Sequence, residues 1–381
     1  MQTEKFSLKD HLFSPKKVEK IAKEIALVHP DFLVAQFVAK VLEAFPNLEL
    51  KERINHIAVC LRMYLPENYE EAVNVLVNSL PAPCNPLLSD QDFGDFIYAP
   101  YGHYVAKYGC HAVYLEKSLQ VLEQITMRFS AEDAIRYFIN SFPEQTMLKM
   151  LAWASHKHYH VRRLASEGSR PKLPWCIKIN VPIHAALPIL NILHADTSRF
   201  VTRSVANHLN DISKKHPRLV IDTLISWKKD QRQNQLELNF IIKHALRTLL
   251  KNGDAAALSL VGFDLNKPVQ ISEFKLTKEL EMDSYLNIYF ELHAIENARL
   301  MIDYVLYFRG KNDTLNRKKV FKLKEVSVKK GEKIILQKSQ QLKEKMSTRI
   351  LYQGEQGFAL QVNGQILYEQ KFILRKKGGY Y

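Results

Sequence analysis

Apolar residues recur every three or four positions from about residue 15 to residue 265, which is the spacing of helices that each bury one face. The pattern is clear in VEKIAKEIALVH, FLVAQFVAKVLEAF, YLEKSLQVLEQITMRF and FIIKHALRTLLKNG. Short breaks that carry Pro, Gly, Asn or Ser separate these runs. Helices of about 12 residues joined by short turns predict antiparallel pairs that stack side by side.

The hydrophobic period changes near residue 265. Segments such as YLNIYFELHA, RLMIDYVLYFR and GFALQVNGQILYEQKFILR alternate apolar with polar residues, as half-buried strands do. Asn363-Gly364 lies between two such segments and predicts a tight hairpin turn. Seven or so short strands favour an immunoglobulin-like sandwich, and a loose helical period of roughly 35–40 residues favours a HEAT-like solenoid. We therefore predict a mainly α protein, with a HEAT-like α-α superhelical solenoid at 1–265 and a smaller all-β immunoglobulin-like sandwich at 266–381.

The composition is that of a globular protein. Of its 381 residues 46% are apolar, and no stretch approaches the ~20 uninterrupted apolar residues of a spanning helix. The N-terminal segment MQTEKFSLKDHLFSPKK lacks the apolar centre of a secretory signal, so we expect a cytoplasmic protein. The scattered cysteines favour isolated buried thiols over disulfide or zinc sites; they are Cys60, Cys84, Cys110 and Cys176.

The net charge narrows the choice of partner. The chain has 54 Lys and Arg against 40 Asp and Glu, a net charge of +14 and a pI near 9.4. Residues 266–381 hold 22 Lys and Arg against 13 Asp and Glu, so most of the excess belongs to the predicted sandwich. Nucleic acid and an anionic membrane surface both fit this balance, and a basic pI that serves only solubility is the remaining alternative.

The segment HVRRLASEG (160–168) places a carboxylate where a helix disfavours it. We predict that the helix ends at Gly168, a residue type that is common at the C′ position, which puts Glu167 in the last turn. The helix dipole opposes a negative charge there, so Glu167 is a poor local choice unless Arg163, one turn earlier, holds it. An exposed i,i+4 ion pair would explain the same two residues without any function.

The next residues, SRPKLPW, form a loop that its prolines stiffen. Arg170, Lys172 and Trp175 would then be held on a rigid edge. Two cations and an indole in such a loop suit phosphates and a distorted base.

The segment TMRFSAEDAIRYF (126–138) carries a second pair of acids. Ser130 is a plausible N-cap, and Asp133 is placed to complete a weak capping box. Glu132 then lies in the first turn, and Arg136, one turn later, is a candidate for contact with DNA. Capping explains both acids without function, and a catalytic role for Glu132 is the alternative.

No motif in the sequence predicts a metal or a cofactor. His156, His158 and His160 alternate, but we expect them to straddle a turn without a cysteine or carboxylate to complete a ligand set. No Gly-rich phosphate loop, nucleophile elbow or HExxH motif is present. We expect neither a metal site nor a cofactor.

Two later helices offer contacts to a nucleic-acid backbone. Arg203, Asn207 and Asn210 fall on one helix face, where amides either tie adjacent helices together or contact DNA. Lys243 and Arg247 are four apart, on one face of a predicted helix at 240–249. The full set of backbone candidates is Arg203, Asn207, Asn210, Lys214, Lys243 and Arg247.

The chain resembles the AlkC branch of the HEAT-like repeat DNA glycosylases, relatives of AlkD, over essentially its whole length. HVRRLASEGSRPKLPW carries the resemblance most specifically, followed by TMRFSAEDAIR, VTRSVANHLNDISKKHP and FIIKHALRTLLKNGDAAALSLVGF. The C-terminal sandwich is similar to the immunoglobulin-like domain of one AlkC subgroup. Departures from the family pattern are Tyr137, where proline is common, and Lys172, which replaces an arginine.

The resemblance implies a monofunctional enzyme that excises 3-methyladenine and 3-methylcytosine from double-stranded DNA without flipping the base into a pocket. By similarity, Glu132 and Glu167 are the catalytic acids, Arg163 and Trp175 lie beside the lesion, and basic repeat residues hold the backbone. We expect a monomer that contacts DNA and no membrane, and that associates with the nucleoid when it acts.

General chemistry agrees with this function. An N3-alkylated base is already cationic, so a negative charge near C1′ and an oriented water are what its departure needs. A helical-repeat protein that binds distorted or branched DNA without catalysis is the first alternative. A protein-scaffolding solenoid is the second.

Overall fold

The structure is a computed structural model, and it describes residues 7–87, 90, 93–263, 265, 269–312, 314–315, 317–346 and 349–376. The chain packs into two compact units. The first unit is Met1–Ile212 with Trp227–Ala245, and the second is Ser213–Ser226 with Leu246–Tyr381. The boundary predicted near residue 265 follows the change of hydrophobic period, and it stays a prediction.

Helices occupy the chain up to residue 260. Consecutive helices pack together, α2 with α3 and α3 with α4, and helices further apart also meet, α4 with α6 and α2 with α5. Short 3-10 turns lie at Phe45–Asn47, Phe96–Tyr98, Ala112–Tyr114 and Ile183–Ala186. The helices are α1 (Leu8–Leu12), α2 (Pro15–Val28), α3 (Val34–Ala44), α4 (Leu50–Tyr64), α5 (Tyr69–Ser79), α6 (Ala99–Gly109), α7 (Leu115–Thr126), α8 (Ala134–Ser141), α9 (Pro143–Trp153), α10 (Tyr159–Gly168), α11 (Leu187–Leu193), α12 (Arg199–Ser213), α13 (Pro217–Asp230), α14 (Gln235–Ala245), α15 (Arg247–Lys251) and α16 (Ala255–Leu260).

Helix α2 shows how the sequence sets these elements. The Ser14 hydroxyl accepts a hydrogen bond from the Lys17 backbone N–H, and Pro15 occupies the first helical position, where its missing N–H costs nothing. Ile21 and Ile25, four residues apart, are fully buried. The same rule of one buried face holds the other long helices in place. No helix in the described part of the chain is long and apolar enough to cross a membrane.

One predicted helix feature is confirmed in part and another is wrong. Helix α10 ends at Gly168 as predicted, but Gly168 is its last helical residue rather than the residue after it, and it has no positive φ. A Cβ there would lie 2.5 Å from Ile135 Cγ2. The glycine therefore serves a close approach between α10 and α8. Lys243 and Arg247 do not share one helix, because α14 ends at Ala245 and α15 begins at Arg247.

The strands belong to the second unit. One sheet has the order β1-β3-β6 and a larger one has the order β2-β10-β9-β4-β5, with β7 and β8 as a separate pair. Pairing is antiparallel except between β2 and β10. The strands are β1 (Val269–Leu276), β2 (Glu279–Glu281), β3 (Tyr285–Ala294), β4 (Ala298–Phe308), β5 (Arg317–Val328), β6 (Lys333–Gln341), β7 (Lys345–Met346), β8 (Arg349–Ile350), β9 (Gly354–Val362) and β10 (Gln365–Arg375).

The two larger sheets share one apolar core. Leu286 and Phe290 from β3 meet Leu306 from β4 and Phe358 from β9 in a single buried cluster. The predicted hairpin turn at Asn363-Gly364 is confirmed, since φ is 45° at Asn363 and 79° at Gly364 and the turn joins β9 to β10.

The predicted alternation fails at β4 and β9, which are buried on both faces. Met301, Val305 and Ala359 lie on the face away from the sandwich core, yet they are buried. The short helices before the sandwich meet this sheet, as the Gln361 amide donates to the Lys251 carbonyl. A helix-covered sheet face turns an alternating pattern into a continuous apolar run.

Candidate active site

Glu132 lies in the turn between α7 and α8, where the predicted capping arrangement is wrong. Helix α8 begins at Ala134, so Ser130 is too far upstream to be its N-cap, and Asp133 in that position makes no side-chain cap bond. The Ser130 hydroxyl instead donates to Glu132 Oε2 at 2.8 Å. The turn therefore orients the Glu132 carboxylate rather than the helix end.

Arg163, on α10, lies between the two predicted catalytic acids. Its Nη1 donates to Glu132 Oε2 at 2.8 Å, and its Nη2 lies 3.8 Å from Glu167 Oε1. The guanidinium also stacks on the Phe200 ring, 4.5 Å from the centroid. The structure thus brings Glu132 and Glu167 to one arginine. The alternative of an exposed ion pair does not hold, since the Arg163 and Glu167 side chains are 12% and 6% exposed.

Glu167 continues into a buried network. Its Oε1 accepts from Arg170 Nη1 at 2.5 Å and its Oε2 accepts from Ser204 Oγ at 2.6 Å. Arg170 in turn donates through Nε and Nη2 to Asp211 Oδ2, at 3.0 and 2.8 Å. We call the alternating series the ion-pair chain; it consists of Glu132, Arg163, Glu167, Arg170 and Asp211.

The ion-pair chain carries one more negative than positive charge. Burial alone would raise the pKa of Glu167, but the guanidinium groups of Arg163 and Arg170 outweigh it and hold that pKa below its usual range. Burial likewise opposes the charge on Arg163, and the two glutamates overcome it and raise the pKa of Arg163. Arg163 and Glu167 therefore favour their charged forms, and the formal charges of the five side chains sum to −1.

Trp175 stands in the loop after α10 in an unusual conformation. Its φ is 68°, in the left-handed region that large side chains avoid, and its side chain is 74% exposed. The Lys51 ammonium donates to its carbonyl. Arg136, which is buried, holds the loop from beneath by donating to the carbonyls of Gly168, Arg170 and Ile177 at 3.0, 2.8 and 2.6 Å. Such strain persists only where surrounding bonds enforce it.

A cavity of about 260 Å³ opens between Glu132 and Trp175. Its walls are mostly apolar and aromatic, and Lys51, Glu132 and Asp133 are its charged members. Residues that line it include Leu50, Ile54, Phe96, Tyr98, His103, Phe129, Pro174 and Cys176. We call it the Trp175 cavity. It brings an exposed indole, an apolar surface and a carboxylate to one place.

Two predicted DNA contacts in this region are engaged within the protein. Arg136 is buried with its guanidinium on backbone carbonyls, and Arg170 is bonded to two acids. This placement favours positioning roles for both arginines over contact with a phosphate. Lys172 is exposed in the same loop.

The remaining candidates for contact with the DNA backbone differ in their surroundings. Arg203 pairs with Asp90, Asn207 Oδ1 lies 2.8 Å from His244 Nε2 of α14, and Asn210 is buried. The alternative in which amides tie adjacent helices therefore gains support at Asn207. Three further candidates are Lys243, exposed on α14, and Lys214 and Arg247, which belong to the second unit.

The three alternating histidines organise the start of α10. The His158 side chain accepts from the His160 N–H as the N-cap, and its Nε2 lies 2.9 Å from the Cys84 carbonyl. His156 Nδ1 accepts from the His158 N–H at 3.0 Å. Over the described residues, no group of three or more His, Cys, Asp or Glu is placed to hold a metal ion.

The cysteines are free thiols, but the expectation of burial holds only for Cys60. Cys84, Cys110 and Cys176 are partly exposed. Burial raises the pKa of the Cys176 thiol to about 12, so it is a poor nucleophile in the Trp175 cavity.

Sequence analysis assigned no role in the site to four of its residues, Asp211, Ser204, Phe200 and Lys51. The first three lie on α12, about 40 residues after their partners, and no local spacing connects the two segments. Lys51 reaches Trp175 across 124 residues. The one available signal was the acid at the C-terminal end of α10, which needs cationic partners.

Comparison with known proteins places this arrangement in context. Residues 270–376 match the family model described as the C-terminal Ig-like domain of the uncharacterised protein YhaZ. The chain is 34% identical over 363 residues to YhaZ of Bacillus subtilis, covering 93% of this chain and 96% of that one. It also superposes on the alkylpurine DNA glycosylase AlkC of Pseudomonas fluorescens, solved bound to DNA with an abasic site analog. The TM-score is 0.86 at 31% identity, over 97% of this chain and all of that one. The predicted fold class is confirmed.

Proposed function

We propose that this chain, which belongs to the AlkC family with a C-terminal immunoglobulin-like domain, is a monofunctional DNA glycosylase. Its substrates are cationic N3-alkylated bases, 3-methyladenine and 3-methylcytosine, in double-stranded DNA, and it cleaves without flipping the base into a pocket. It acts as a monomer in the cytoplasm, on the nucleoid. The observation that carries the proposal is Arg163, which joins Glu132 and Glu167 beside the Trp175 cavity.

The departing base is already cationic, so the protein does not need to protonate it. The electrons of the C1′–N bond move onto the cationic base, which leaves neutral, while positive charge develops on the sugar. A water then adds to C1′ and gives its proton to a carboxylate. The net charge of −1 on the ion-pair chain stabilises the sugar cation, and a preorganised interaction of this kind is typically worth ~3–4 kcal/mol.

The exposed indole and the cations then have binding roles. Trp175 supplies an exposed aromatic surface beside the lesion, and contacts between aromatic side chains and bases are typically worth ~1–3 kcal/mol. Exposed Lys172 and Lys243 are proposed to contact phosphates.

Release of free base from DNA carrying 3-methyladenine or 3-methylcytosine tests the proposal. Under single-turnover conditions we expect the wild-type protein to release both bases, and Glu132→Gln to slow release ~100-fold or more with DNA affinity unchanged. The glutamine keeps the shape of the side chain and removes its charge.

Two results would count against the proposal. Tight binding of damaged DNA without any base release would favour the alternative of a non-catalytic protein for distorted or branched DNA. Full activity of Glu132→Gln would remove that carboxylate from the reaction.

A further inference from the structure

We infer that the two glutamates have unequal roles: Glu132 is the catalytic carboxylate that faces the substrate, and Glu167 is a positioning residue that acts through Arg163. Asp211 and Ser204 belong to the same positioning group. The inference rests on the proposed function and assigns roles within that site.

Glu167 has no oxygen to offer a water or a sugar. Its Oε1 is held by Arg170 and faces Arg163, and its Oε2 is held by Ser204. The residue is 4% exposed, and it is absent from the walls of the Trp175 cavity. A substrate could reach this carboxylate only by displacing bonds of 2.5 and 2.6 Å.

Glu132 has the opposite character. Its side chain is 28% exposed and lines the Trp175 cavity. Arg163 and Ser130 both donate to Oε2, whereas no hydrogen bond joins Oε1 to any described residue. One oxygen is thus fixed by the protein and the other is available to orient a water.

Asp211, at the end of the ion-pair chain opposite Glu132, fixes the position of Arg170. It binds Arg170 through two hydrogen bonds, which fixes the plane of that guanidinium. Arg170 then fixes Glu167, and Glu167 holds the second arm of Arg163 while the first arm holds Glu132. Removing Asp211 or Glu167 therefore loosens Glu132 and also takes one negative charge from the ion-pair chain.

Asp133, Lys51 and His208 are ionisable neighbours of the ion-pair chain. Asp133 and Lys51 form a partly exposed pair on the Glu132 side, so Asp133→Asn reports what that second carboxylate contributes to a pH profile. His208, on α12, lies 3.0 Å from the Ser166 carbonyl, and burial lowers its pKa to about 4. His208 is therefore neutral above about pH 5, and its titration at lower pH is shared by the wild type and all the variants.

The test is the pH profile of single-turnover base release from about pH 3.5 to about pH 8, with full-length protein and with uncatalysed release subtracted at each pH. Wild-type release should fall at the acid end of this range, where carboxylates in general become protonated. Glu132→Gln should remove that fall and leave a flat residual rate. Glu167→Gln and Asp211→Asn should keep the fall, with the plateau lowered ~10- to 100-fold and DNA affinity unchanged.

Glu237→Gln is the matched control. Glu237 is also bonded to an arginine and a hydroxyl, Arg199 and Thr202, but it is outside the ion-pair chain. Its replacement should leave rate and profile as in the wild type. Ser204→Ala removes a single hydrogen bond to Glu167 and no charge, so it tests the same role if a charge variant does not fold; we expect a several-fold lower plateau.

The outcomes separate the inference from the proposed function. A Glu167→Gln profile without the low-pH fall, beside a Glu132→Gln profile that keeps it, would exchange the two roles. Wild-type rates in both Asp211→Asn and Ser204→Ala would remove the positioning group. Failure of the wild-type protein to release base would instead refute the glycosylase proposal itself.

Discussion

Arg136 was predicted to contact DNA, and the structure gives it a different task that a single substitution can test. Its guanidinium donates three hydrogen bonds to carbonyls on both sides of the Trp175 loop. Arg136→Met keeps most of the aliphatic length and removes every donor. The loop should then lose the bonds that hold Trp175 in its left-handed conformation.

The expected cost follows from these hydrogen bonds. A hydrogen bond to a charged group contributes about 1.5–3 kcal/mol, so three would give roughly 5–9 kcal/mol if they were additive. The substitution also removes the free-energy cost of burying the charged guanidinium, and this offsets part of the sum. We expect the free energy of unfolding to fall by about 3 kcal/mol, a discounted figure on the same scale.

Two measurements decide between the roles of Arg136. Urea unfolding reports stability, and DNA affinity across a salt series reports phosphate neutralisation, since each cation removed from a phosphate lowers the slope of log K against log salt by about one. We expect Arg136→Met to lose stability with an unchanged slope. Arg203→Met is the comparison variant, because Arg203 is a candidate for binding a phosphate. Within the described residues, Arg203 forms a partly exposed ion pair with Asp90. We expect the slope of log K against log salt to fall in this variant. A lowered slope and unchanged stability in Arg136→Met would refute the reasoning.

Two further predictions concern stability. Burial raises the pKa of Asp303 to about 6, so the folded state binds this proton more tightly than the unfolded chain, and stability falls as pH rises from about 4 through 6. Asp303→Asn should remove this loss, so the free energy of unfolding of the variant relative to the wild type should be up to about 3 kcal/mol higher at pH 8 than at pH 4. The same difference between variant and wild type at both pH values would contradict this prediction. Gly168→Ala should lose about 1–3 kcal/mol in thermal unfolding because its Cβ meets Ile135, and Ile135→Val in the same chain should restore part of the loss; no recovery would show that the strain lies elsewhere.

The sequence predicted those features that depend on local pattern. Helical and strand periods predicted the fold class, and Asn363-Gly364 predicted a turn whose two positive φ angles few other residues adopt. The misplaced carboxylate at Glu167 pointed correctly to a cationic partner at Arg163.

Features that depend on contacts across the chain were out of reach. Asp211 meets Arg170 only because α12 packs beside the end of α10, and no spacing within either segment encodes that meeting. The N-cap prediction at Ser130 failed because a nearby carboxylate uses the hydroxyl instead. Burial of both faces of β4 depends on helices that a strand pattern does not contain.

The helix-covered face of the larger sheet limits how the molecule can be divided. A polypeptide that started at residue 266 would leave Met301, Val305 and Ala359 uncovered in the middle of a sheet, together with the amide of Gln361. Exposed apolar patches of this kind make isolated domains stick to one another. A soluble C-terminal fragment should therefore keep the whole second unit, which begins at Ser213, and a fragment that starts at residue 266 should aggregate.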